Sequence, residues 1–137
     1  MIEELISKGS GILGVQMLIA AFWSVLFLQS GVDKLVDWKG NLSWLRGHFG
    51  NSPFKGIVKL LLTLLTALEL SAGVISFIGI FMLWISNDPY FAYMGAFISA
   101  KALLFLFVGQ RIAKDYEGAG TIAVYFGVAL ISLYILH

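Results

Sequence analysis

The chain has 137 residues, of which 59% are hydrophobic and only 12% charged, and its mean hydropathy is +0.89, far from the balance of a soluble globular domain. A net charge of +1 and the lack of a Gly-rich phosphate loop leave no basic surface for nucleic acid, which is removed from the partners. Cysteine is absent, which excludes thiol redox chemistry, thiolate metal sites and disulfides; a haem pair would need both histidines, His48 and His137, and neither metal nor haem is expected.

Ile2, Leu5 and Ile6 fall at helical spacing beside Glu3, Glu4 and Lys8, which predicts a short surface helix; the stretch does not read as a secretory signal. A first span is predicted over residues 11–32. Gln29 and Asp33 lie one turn apart on the face of Phe22 and Leu26, a face expected to look into the bundle. A solvated helix-end charge at Asp33 is the equally weighted alternative.

Residues 33–52, DKLVDWKGNLSWLRGHFGNS, are too polar to span and too aromatic for a free linker. Asn41 is expected to cap a short interfacial helix with Leu42, Leu45 and Phe49 on one face, Trp38 and Trp44 as anchors and Gly50 as its stop. His48 on that helix reads as a solvated or capping residue before it reads as a proton relay.

Ser52-Pro53 is expected to start the second span, residues 57–83. Its one carboxylate, Glu69, lies near the midpoint of the run, where an unpartnered charge costs about 2.5–3.5 kcal/mol. Lys59, Thr63, Thr66, Glu69, Gly73 and Ser76 recur at steps of four and three, a polar and small-residue stripe suited to helix packing. Asp88 and Pro89 are expected to open a third span at residues 91–109, so close behind the second that the two are antiparallel neighbours. Gly95, Ser99, Ala102 and Gly109 give it a small-residue face. Its central Lys101 lies at the depth of Glu69, and the two are expected to pair; failing that, Lys59, Lys34 or a water-filled cavity remains to partner Glu69. The polar segment QRIAKDYEGAG turns into a fourth span, residues 121–136, without charge.

The fold class is therefore all-α: an integral membrane four-helix transmembrane bundle, a single domain over 1–137, with a short interfacial helix in the first loop. Lys34, Lys39, Arg46, Lys55 and Lys59 lie in or beside the first loop, and Arg111 and Lys114 in the third. This excess places both loops in the cytoplasm and both termini outside, in a cytoplasmic (inner) membrane or its eukaryotic equivalent. At the cytoplasmic rim, Asp33, Lys34, Arg111 and Asp115 are expected either to form an ionic network or to remain a solvated loop.

Three uses of a Glu69–Lys101 pair stay open: a structural clamp, a pocket for the polar head of a quinone or similar amphiphile, and a proton or ion path. Trp23, Trp84, Phe105 and Tyr125 suit a ring-binding pocket and equally suit aromatic belts and packing.

The sequences FLQSGVDKL at the end of the first span, ELSAG in the second and GQRIAKDYEGAG after the third together resemble the DoxX family of small four-span membrane proteins. The resemblance points to Gly31, Lys34, Glu69 and Gly73. It implies a small membrane subunit associated with quinol oxidation, or with sulfur-compound oxidation coupled to quinone. The expected partners are the lipid bilayer and a larger membrane complex, with quinone the candidate cofactor. The alternative is a non-catalytic assembly or stability subunit of a larger membrane protein complex.

Overall fold

The structure, a computed structural model, describes residues 11–137; the expected surface helix around Ile2, Leu5 and Ile6 lies outside the described residues. Among the described residues four helices are long and apolar enough to cross a membrane: α1 (Gly11–Val36), α3 (Val58–Ser86, preceded by a 3₁₀ turn at Lys55–Ile57), α4 (Tyr90–Ile112) and α5 (Tyr116–Leu136). A shorter helix, α2 (Trp38–His48), joins the first two of these. With short connections between them, α3 packs along both α1 and α4, and α4 along α5. The end of the bundle at which α1 stops and α3 starts carries the basic loops and is called the basic end below.

The helix ends differ from the sequence expectations wherever a side chain offers a better cap. α1 runs four residues past position 32, because Asp33 and Lys34 are compatible with a helix terminus and nothing before Asp37 competes for its backbone. Asp37, not Asn41, caps α2: its carboxylate accepts from the Gly40 amide at 3.3 Å, while Asn41 Nδ2 donates to the Asp37 carbonyl at 2.8 Å. Leu42, Leu45 and Phe49 are half-buried and Trp44 is exposed, as the expected amphipathic face requires. Ser52 does not start the next span. Its hydroxyl donates to the Phe49 carbonyl and accepts from the Phe54 amide, closing a local turn, and α3 begins only at Val58.

α3 ends in a left-handed residue, Asn87 (φ 52°), whose amide donates to the Leu83 carbonyl while that of Asp88 donates to Met82. This left-handed C-terminal turn reverses the chain within three residues. Asp88 Oδ1 accepts from the Tyr90 amide at 3.0 Å, and Pro89 sits just ahead of α4 rather than in its first position. α5 starts five residues earlier than expected because Asp115 caps it, accepting from the Gly118 amide at 3.0 Å; Lys114 takes the left-handed conformation (φ 63°) that makes the corner.

Close approach is set by small residues. A Cβ on Gly31 would lie 2.8 Å from Leu70 Cγ and one on Gly73 2.8 Å from Leu28 N, which fixes the antiparallel register of α1 on α3. Gly79 faces Ala92, and Gly95 faces Ser76, which fixes α3 on α4. Between α1 and α5, Trp23 Nε1 donates to Ser132 Oγ at 3.1 Å and its ring stacks on Phe27. Thr66, Ser99 and Ser132 donate to carbonyls one turn back, which satisfies hydroxyls that the apolar interior would otherwise strand.

Candidate functional site

Glu69 is 1% exposed, on the face of α3 that carries Thr66, Gly73 and Ser76 into the bundle. Its Oε1 lies 2.9 Å from Lys34 Nζ of α1. The contact is a charge attraction set off the hydrogen-bond direction; the aligned hydrogen bond of Lys34 goes to Ser30 Oγ, one turn back, at 2.8 Å. The stripe divides along the helix: Thr66, Glu69, Gly73 and Ser76 are buried, whereas Lys59 and Thr63, nearer the basic end, are exposed.

The expected Glu69–Lys101 pair is thereby corrected. Extending the α3–α4 register seven residues from the Ser76–Gly95 contact brings Glu69 level with Ala102, so the expected equality of depth with Lys101 holds. The azimuth does not. Successive helical residues are about 100° apart, and it is Ala102, fully buried, that faces inward; Lys101 is exposed, with its ammonium 4.7 Å from the centre of the Phe97 ring. Of the expected small face on α4, Gly95, Ser99 and Ala102 are buried and Gly109 half-buried.

Near their turn α3 and α4 are drawn together by Gly79, Ala92 and Gly95. Toward the basic end larger residues hold them apart, and a partly open cleft of about 520 Å³ lies between them with α2 across it. Leu62 and Leu65 of α3, Leu104 and Phe105 of α4 and Trp44 and Phe49 of α2 give it apolar and aromatic walls. Polar groups enter at a few places: Lys34, Lys101, His48, Asn41 and Gln110. Such a space, largely apolar with a few polar contacts, suits the head of an amphiphile. The Phe49 ring reaches 3.4 Å from where a Cβ on Gly109 would stand, so the lack of a side chain there seats α2 against α4.

The other expected site residues are not brought in. Gln29, Asp33 and Phe22 are exposed, because Trp23, Phe27 and Gly31 form the inward face of α1. The rim network among Asp33, Lys34, Arg111 and Asp115 is not formed either. Lys34 turns to Glu69, Arg111 lies 4.6 Å from the centre of the Tyr116 ring, and Asp115 is used as the cap of α5. Asp115 does meet one charge partner, His48 of α2, with Nε2 3.8 Å from Oδ2, and His48 in turn stacks on Trp44 at 4.6 Å.

One feature escaped the sequence reading, and Lys34, which the resemblance points to, was ranked behind Lys101 as the partner of Glu69. The place of α2 in the cleft wall carries no local signal, since it depends on the splay of α3 and α4. Lys34 did carry one: it follows Gly31 by three residues and Glu69 precedes Gly73 by four, so each charge lies about one turn from a close-approach glycine on its own helix. No family model, curated protein or solved structure matches the chain.

Proposed function

We propose that the chain is a small membrane subunit of DoxX type that holds the head of an amphiphile, a quinone or a similar molecule, in the cleft between α2, α3 and α4, in association with a quinone-linked membrane redox complex. The observation that carries this reading is the cleft itself: a space of about 520 Å³ inside a chain with four membrane-spanning candidates, walled by aliphatic and aromatic side chains and reached by Lys34, Lys101 and His48. A tail left in the bilayer through the open side would need no further room. The excess of basic residues supports placing the cleft toward the cytoplasm, with the C-terminus on the other side. Glu69 has the role of a clamp here: its charge is spent on Lys34, and the pair ties α1 to α3 beside the cleft.

The test is to purify the protein from its own membranes in mild detergent and identify what it retains by native mass spectrometry. One quinone or similar amphiphile per chain is expected, and Val108→Trp, which fills the cleft from an exposed position, is expected to lose it. Equal retention by the variant, or none by the natural chain, would count against the reading. Co-purification of a redox enzyme is expected; a transporter or secretion machine in its place would favour the non-catalytic assembly role.

A further inference from the structure

Lys101 stands at the centre of α4, with eleven residues of helix on either side, so each end is roughly 16 Å away at 1.5 Å per residue. Its four-carbon stem cannot carry the ammonium to either end of the helix, as that of a lysine near a helix end does. The Phe97 ring beneath it offsets part of the cost of a cation in hydrocarbon but does not neutralise it.

Carboxylates among the described residues do not serve it. Glu69, at its level, is 1% exposed, turned into the bundle and committed to Lys34. Asp115 is committed to the α5 cap and to His48, and the ion pairs among the described residues do not include Lys101. Of the cations lining the cleft, Lys34 has its carboxylate; Lys101 lines the same cleft and has none among the described residues.

From this imbalance we infer that the cleft selects an amphiphile with an acidic head group, a phosphate or a carboxylate, with Lys101 as its counter-ion. The inference rests on the reading that the cleft holds an amphiphile, and within that reading it favours acidic heads over the neutral head of a quinone. Charge complementarity is the reason: in a water-poor wall one unmatched fixed cation attracts an anion strongly and gives a neutral head far less. An acidic head brings the missing charge while its chain meets the apolar wall of Leu104 and Phe105. The four-residue spacing from Lys101 to Phe97 leaves the ammonium on the exposed side of α4, where a molecule entering from the bilayer meets it first.

Two probes with one tail separate charge from chain: oleyl phosphate and oleyl alcohol, titrated at neutral pH into the purified full chain and followed by native mass spectrometry. The natural chain is expected to bind the phosphate at least ten-fold more tightly. Lys101→Gln should bring the two probes to parity, Lys101→Arg should restore the preference, and Lys59→Gln, an exposed lysine outside the cleft lining, should leave it intact. Equal binding of both probes by the natural chain would overturn the acidic-head inference while leaving the amphiphile reading standing; binding of neither would remove the amphiphile reading itself. A preference that survives Lys101→Gln, or that Lys59→Gln abolishes as readily, would place the anion elsewhere and overturn the inference. So would release of a co-purifying membrane protein by Lys101→Gln with no phosphate preference in the isolated chain, which would assign the lysine to a partner's carboxylate.

Discussion

Glu69 and Lys101 lie at one level of the bundle and live in opposite surroundings. Glu69 is enclosed where α1 and α3 approach through Gly31 and Gly73, and it has an opposite charge at 2.9 Å. Lys101 is about a third of a turn away from the inward line of its helix, over a ring, beside a cleft. Depth in a helical membrane protein follows from counting residues between turns. Which way a residue faces is decided by which neighbours are small, and the two charges differ only in that second respect.

The comparison is broken most severely by taking away the partner of Glu69. Lys34→Met leaves a buried carboxylate alone and is expected to lower the unfolding free energy in detergent by about 3–5 kcal/mol, whereas the double variant Lys34→Met with Glu69→Leu should recover most of that loss. Lys101→Met, measured in the same way on the isolated chain, should cause no loss of stability, because it removes an unpaired cation from an apolar surface. A large loss from Lys101→Met would mean that the two lysines are not so different after all.

Smaller effects sharpen the contrast in packing. Gly73→Ala places a methyl group 2.8 Å from the Leu28 amide nitrogen, a backbone atom that cannot turn aside, and should cost about 1–3 kcal/mol. Gly109→Ala, on the cleft side, meets only the edge of the Phe49 ring at 3.4 Å and should be neutral or stabilise by up to about 1 kcal/mol through helix propensity. Thermal unfolding of the two variants side by side checks the difference in sign.

Modest effects are expected at the start of α5. Asp115→Ala removes the cap of α5 together with the His48 contact and should cost about 1 kcal/mol or somewhat more. Asp115→Asn keeps a good cap and should lose only a few tenths. If the two variants are equally destabilised, the contact with His48 matters more than the cap.

These differences also show what could be read in the sequence. Four spans follow from apolar runs separated by Asp, Pro and Gly, and the level shared by Glu69 and Lys101 follows from the three-residue turn at Asn87. Helix ends were misplaced wherever a nearer carboxylate took over the cap, as Asp37 did from Asn41, and Asp115 brought forward the start of α5. The pairing of Glu69 was misassigned because Lys101 was weighed by depth alone, while Ala102 beside it, smaller and able to pack closer, is the residue that faces α3. The cleft was out of reach of any local pattern. It arises from the contrast between glycines at one end of α3 and α4 and leucines and phenylalanines at the other.

The Lys34–Glu69 contact has a meaning for synthesis as well as for the finished bundle. The chain is made from α1 onward, so Lys34 is in place before Glu69 leaves the ribosome, and the third helix can enter the bilayer against a waiting charge. Only α2 and a short turn separate the two, a tether that keeps the first helix at hand while the next is delivered. A carboxylate that would be a poor passenger alone thus becomes a docking signal, which tells α3 which neighbour to join and at what height.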